Sequence, residues 1–127
     1  AHKILYTSFH FPKSSRLLTS GHYSDVFQNV NLRVSSRHFL ILATVEQFSE
    51  VRLGIIVAKK HVKLAVHRNR VKRILRDSFR CTKASLPVID IVVLAKKGVD
   101  KLENKACHEE LRFLWQKLDR KYSSIEQ

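Results

Sequence analysis

The chain has 127 residues, 44% of them hydrophobic, and its 24 Lys and Arg outnumber 11 Asp and Glu for a formal net charge of +13. That length and apolar fraction support about one globular domain with a real core, which excludes a disordered basic tail. No apolar run is long enough to span a bilayer, and the leading Ala-His-Lys-Ile-Leu-Tyr lacks the apolar stretch of a signal peptide, so a cytoplasmic protein with no membrane partner is expected.

Residues 1–18 mix aromatic, basic and polar side chains without a period, and Pro12 with Ser14 and Ser15 argues for an irregular N-terminal arm. Thr19 or Ser20 is placed to cap a short helix over residues 21–28, in which Tyr23, Val26 and Phe27 share one face. Val30, Leu32 and Val34 then alternate with Asn31, Arg33 and Ser35, the pattern of a strand with one wet face. Phe39 to Val45 reads as a second strand, apolar on both faces, and Leu53 to Ala58 as a third, after a turn at Ser49 and Glu50. Lys59 to Val66 is a basic connector feeding a helix from His67 to Arg80.

Pro87 precedes a fourth strand, Val88 to Ala95, interrupted only by Asp90, and its apolar run suits a central place in a sheet. Gly98 breaks the chain, and Asp100 with Glu103 forms a capping box that opens a last helix reaching to about Tyr122. Cys107, Leu111, Leu114, Trp115, Leu118 and Tyr122 make its apolar stripe, while Glu103, Glu109, Glu110 and Asp119 keep acids away from the basic region. The order α-β-β-β-α-β-α predicts an α+β fold, a two-layer sandwich with one mainly antiparallel four-stranded sheet and packed helices. With no internal repeat, low-complexity tract or long linker, residues 1–127 are read as a single domain.

Between His67 and Arg80 stand six cations, Arg68, Arg70, Lys72, Arg73, Arg76 and Arg80, with Asp77 the only acid. On a wheel stepping about 100° per residue, Arg68, Lys72, Arg76, Asn69, Arg80 and Arg73 climb one continuous arc. Val71, Ile74, Leu75 and Ser78 fill the opposite arc, with Phe79 at its edge. Arg68 and Arg70 fall in the first turn, where the helix dipole disfavours cations, and Asp77 lies too far along to compensate. A phosphate there would relieve the misfit through backbone N–H groups and arginine forks.

A solvated helix face is the plainer reading of a charge run. The neighbourhood tells against it: residues 52–83 hold eleven cations, among them Lys59, Lys60 and Lys63, against Asp77 alone, and so carry +10 of the formal +13. Such polarisation serves association with a polyanion rather than folding.

Chemistry by the protein itself finds little support in the residues. A nuclease with its own metal ions needs carboxylates converging on Mg²⁺, yet five of the 11 Asp and Glu lie between residues 103 and 126, and no D-x-D, D-x-E or H-E-x-x-H spacing occurs. No protein metal site and no catalytic residue are therefore expected. The His residues are scattered outside any nucleophile motif, and the Gly residues are too far apart for a phosphate loop. Cys81 and Cys107 lack paired spacing and read as buried free thiols. Tyr23 and Phe27, one turn apart, would form with Phe39 a stacking platform for unpaired bases if the first helix packs at the sheet's open face; on the residues alone, core positions for all three are the preferred reading.

Gly54-Ile-Ile-Val-Ala-Lys-Lys60, followed by Ala65-Val-His-Arg-Asn-Arg-Val-Lys-Arg-Ile-Leu-Arg-Asp-Ser-Phe-Arg80, closely resembles the signature of the bacterial ribonuclease P protein subunit, including its Arg68, Asn69, Arg70 core. The resemblance extends over Phe11-Pro-Lys-Ser-Ser-Arg-Leu-Leu18, His22-Tyr-Ser-Asp-Val-Phe27 and Asp90-Ile-Val-Val-Leu-Ala-Lys-Lys-Gly98. It implies a left-handed βαβ crossover. It also implies that a catalytic RNA, holding most of the Mg²⁺, removes the 5′ leader of precursor tRNA and that the small basic protein assists it. The implied partners are ribonuclease P RNA and precursor tRNA with its leader, and not DNA.

By the same resemblance Lys59, Lys60, Lys63, Arg68, Asn69, Arg70, Lys72, Arg73, Arg76 and Arg80 meet RNA, and Phe11, Tyr23, Phe27 and Phe39 line a leader cleft. Leu42 stands where some members carry Tyr, which replaces a hydrogen bond to the leader by apolar contact. Asp77 in place of the commoner Glu keeps the charge. A structural, ribosomal-type RNA-binding protein would use the same helix without a leader groove, and is the alternative.

Overall fold

The computed structural model describes residue 23 and residues 26–44, 51–86 and 89–126. Four strands, β1 (Leu32–Ser35), β2 (Phe39–Thr44), β3 (Arg52–Ile56) and β4 (Asp90–Ala95), form one sheet in the order β1-β2-β4-β3. The basic helix α1 spans Ala65–Thr82 and the C-terminal helix α2 spans Asn104–Glu126. Helical backbone is also present at Tyr23 and at Val26, Phe27 and Gln28.

The sheet is mainly antiparallel. Leu32 faces Ala43 and Phe39 faces Ala95 across antiparallel pairs, whereas β3 and β4 run parallel with Leu53 beside Ile91. Parallel neighbours need a long crossover, and α1 lies within it. β4 takes the inner place that its apolar run suggested, with its residues buried except for half-buried Leu94.

Alternation along each strand separates two cores. On one face Leu32, Val34, Phe39, Ile41, Ala43, Leu53, Ile91 and Val93 pack with Val71, Ile74, Leu75 and Phe79 of α1 and with Leu111, Leu114, Trp115 and Leu118 of α2. On the other, Leu42 and Val92 pack with Val26, and Tyr23, Leu40, Ile56 and Leu94 are half-buried against them. Ser78, the polar member of the apolar arc, accepts a 2.8 Å hydrogen bond from Trp115 Nε1. Trp115 also meets Phe79 edge-on at 6.1 Å between ring centroids, a geometry worth about 0.5–1.5 kcal/mol beyond the area it buries.

Several boundaries differ from expectation. Helix α1 is longer than His67 to Arg80 at both ends, and β3 stops at Ile56. The capping box is not formed. Gly98, at φ 95°, leads into a 3₁₀ turn over Val99–Lys101, and α2 begins only at Asn104, with Cys107 N–H donating to Glu103 O at 3.0 Å. The helix then runs past Tyr122 to Glu126. Cys107 is buried as expected, but Cys81 is exposed, its place on the wheel being the margin of the apolar arc; both are free thiols. The arm over residues 1–18, its Phe11, the cap at Thr19 or Ser20, and the turn at Ser49 and Glu50 lie outside the described residues.

Candidate nucleic-acid interface

Burying Val71, Ile74, Leu75, Ser78 and Phe79 fixes the rotation of α1. That rotation leaves Asn69, Arg73 and Arg76 exposed and Lys72 half-buried. The connector before the helix is pinned by Val62, which is fully buried and whose N–H donates to Ala58 O at 3.0 Å. Lys59, Lys60 and Lys63 around it are exposed.

Arg68 and Arg70 behave differently, and because α1 begins at Ala65 only Arg68 falls in its first turn. Arg68 Nη1 donates to Val62 O at 3.0 Å and to Lys63 O at 2.7 Å, tying the connector to the helix. Arg70 Nη2 donates to Asp100 O and Leu102 O, each at 3.1 Å, and Nη1 donates to Asn104 Oδ1 at 2.5 Å. Arg70 is thus a latch across the start of α2, and the carbonyls it gathers belong to the turn that displaces the capping box. The expectation that both arginines offer open forks to phosphate is corrected for Arg70, whose two terminal nitrogens are occupied. Arg80 is likewise paired, with Asp77 at 3.1 Å. Helix α1 has no side-chain cap at Leu64 and no acid in its first turn, so its N-terminal dipole meets no anion of its own there.

The opposite face of the sheet is built differently. The Tyr23 hydroxyl accepts a 3.2 Å hydrogen bond from Ile55 N–H on edge strand β3. Phe27 is 44% exposed. Phe39 does not join them: it is fully buried in the helix-covered core. Strand parity sends Phe39, Ile41 and Ala43 to the helices and places Leu40 and Leu42 beside Tyr23. The second face is therefore an apolar stripe of Leu40, Leu42, Val92, Leu94 and Ile56 with Tyr23 at its margin.

Two polar clusters escaped the sequence reading. Asp90 is 2% exposed and takes a two-pronged pair from Arg52, Nε to Oδ1 at 2.7 Å and Nη2 to Oδ2 at 2.6 Å. Arg52 and Asp90 are register partners on the parallel strands. The lone acid in an apolar strand was the signal, since a buried charge demands a partner. In the second cluster Glu110 receives hydrogen bonds from Ser36 Oγ and, at 2.9 Å each, from His38 N–H and His38 Nδ1, fastening the β1–β2 turn to α2. Burial alone would raise the Glu110 carboxyl, but these bonds and the His38 charge hold it below the ordinary glutamate range. Hydroxyl and imidazole both converge on the carboxylate, so the imidazole does not stand between them as a nucleophile relay requires.

Among the described residues no group of three or more His, Cys, Asp or Glu could hold a metal ion, and no helix is long and apolar enough to cross a membrane. The family model for ribonuclease P matches residues 11–119. The chain belongs to the ribonuclease P protein family. It is 46% identical over 112 residues to the ribonuclease P protein component of Marinobacter nauticus, spanning 88% of this chain and 84% of the relative. To that of Pseudomonas aeruginosa it is 44% identical over 108 residues, 85% and 80% of the two chains. The Staphylococcus aureus RNase P protein matches its fold with a TM-score of 0.74 at 25% identity, covering 80% of this chain and 92% of the other. The Thermotoga maritima RNase P protein gives 0.71 at 27%, covering 80% and 96%.

Membership in the ribonuclease P protein family makes the chain a protein component of a ribonucleoprotein endoribonuclease of tRNA 5′ maturation, with ribonuclease P RNA as its partner. Of the cations expected at that interface, Lys59, Lys60, Lys63, Arg73 and Arg76 are exposed, as is Asn69, and Lys72 is half-buried. Arg68 joins its margin through the connector, while Arg70 and Arg80 are spent within the protein.

Proposed function

We propose that the outward face of α1 and its connector dock on ribonuclease P RNA, while the second face of the sheet holds the single-stranded 5′ leader of precursor tRNA. The observation that carries this reading is the division of chemistry across one sheet, exposed cations on the side of α1 and an apolar stripe with Tyr23 on the other. Phosphates position a protein on folded RNA through cations, whereas unpaired bases present apolar faces to aromatic and aliphatic side chains. The uncapped first turn of α1 supports the same reading, because a phosphate there would bond to amides that no side chain satisfies.

Mg²⁺ and the hydrolysis itself belong to the RNA in this reading. The protein neutralises crowded phosphates and tethers the leader, so that substrate bearing a leader gains over product. Its place of action is the cytoplasm, where precursor tRNA is processed.

Crosslinking from an introduced exposed cysteine tests the division, since Cys107 is buried. In a Cys81→Ser background, a crosslinker at Arg76→Cys should capture ribonuclease P RNA, and one at Phe27→Cys should capture the leader of bound precursor tRNA. Capture of the same RNA from both positions would overturn the assignment of the two faces.

A further inference from the structure

Two apolar side chains interrupt the cationic surface. Leu64 is 57% exposed and Val66 is 67% exposed, the two most exposed large hydrophobics among the described residues. Leu64 occupies the cap position of α1 and Val66 its first turn, between Lys63 and Arg68. On the wheel Val66 falls about 20° beyond Arg73, at the edge of the cationic arc, and is a one-turn neighbour of Asn69.

Local structure does not ask for either residue. A cap position favours Ser, Thr, Asp or Asn, and Leu leaves it without a side-chain hydrogen bond. A β-branched residue in an exposed turn is a poorer helix former than Ala. Nor do they anchor the connector, because Val62, fully buried, does that two residues earlier than Leu64. Both side chains are unfavourable to the isolated helix and gain little burial within the chain, which is the condition of a contact completed by a partner.

The surrounding charge identifies the partner. Lys59, Lys60 and Lys63 of the connector that leads to the pair are exposed, as is Arg73, close to Val66 on the wheel. A paired A-form helix offers phosphates and 2′-hydroxyls at its surface, whereas an unpaired base offers an apolar face. We propose that Leu64 and Val66 form an apolar seat for an unpaired base of ribonuclease P RNA at the first turn of α1, an inference that rests on the RNA-docking reading above. The seat gives the interface a component that salt does not weaken, since phosphate contacts act through counterion release and apolar burial does not.

The test is the salt dependence of affinity for ribonuclease P RNA in the parent and in a Leu64→Ser, Val66→Ala double variant. Ser is the better cap and Ala the better helix former, so circular dichroism and thermal melting should match or exceed the parent. Binding should weaken about tenfold at every salt concentration with an unchanged slope of log affinity against log salt. Arg73→Ala, in contrast, should reduce that slope by about one.

An affinity within twofold of the parent throughout, or a loss accompanied by a shallower slope, would overturn the seat while leaving the docking reading intact. Self-association of the parent that the double variant abolishes, with RNA affinity kept, would assign the pair to a second copy and overturn it as well. A parent affinity without any salt slope would overturn the docking reading and the seat together.

Discussion

Helices α1 and α2 pack on the same face of the same sheet and differ in what they turn to solvent. Each buries one apolar stripe, Val71, Ile74, Leu75 and Phe79 in the first and Cys107, Leu111, Leu114, Trp115 and Leu118 in the second. Yet α1 carries six cations and one acid, whereas α2 carries five cations and four acids. Because the packing is alike and the charge is not, the excess on α1 is not a requirement of folding, which agrees with the docking proposed for it. The same division recurs inside α1, where Arg70 turns inward to backbone carbonyls while Arg73 stays exposed.

The comparison breaks first at the core if the helices are not equal packing partners. Leu75→Ala and Leu114→Ala remove fully buried side chains and should each cost about 2–5 kcal/mol in urea denaturation. A loss under about 1 kcal/mol in one helix alone would mean that it is an accessory to the fold rather than half of it.

Smaller, and more specific, is the latch between the helices. Arg70→Ala should cost about 1–3 kcal/mol, because two backbone carbonyls and Asn104 lose a charged donor. Arg70→Lys should recover part of that stability but not the three-way geometry. Unchanged stability with a large fall in RNA affinity would return Arg70 to the interface. Arg73→Ala should do the reverse, shifting unfolding by less than about 0.5 kcal/mol while weakening binding to ribonuclease P RNA by about 1 kcal/mol in a filter or fluorescence titration.

The finest difference is pH. One acid of α2, Glu110, is held below the ordinary glutamate range by Ser36 and His38 despite its burial. Its native carboxyl therefore takes up a proton at lower pH than the unfolded one. The stabilisation is complete above the unfolded value, about 4.3, and is lost as pH falls through that value toward the depressed native one. Melting curves of the parent and Glu110→Gln should differ above that window and converge below it. Parallel curves across the whole range would show that the clasp contributes nothing.

Periodicity carried most of the architecture. β1 shows its wet face by strict alternation, β4 shows its inner place by an unbroken apolar run, and the stripe of α2 is spaced as a helix must space it. The sequence does not place Phe39, for a definite reason: β2 is apolar on both faces, so its pattern contains no sign of which parity faces the helices. The partners of Arg70 lie 30 to 34 residues away, beyond any local rule, and a wheel gives a direction about the helix axis without saying how far a long side chain reaches along it. Asp90 stood out as an interruption, but naming Arg52 as its partner required the parallel register.

Helix α1 is the link between two neighbouring strands rather than an appendage to them. The mutual repulsion of its cations is consequently built into the connectivity of the sheet, and an RNA docked there as proposed would act as a folding ligand for all four strands. A copy of the chain produced in excess of its RNA is then the more fragile form. Comparing protease half-lives with and without RNA reads this directly: protection should reach β2 and β4 as well as the helix.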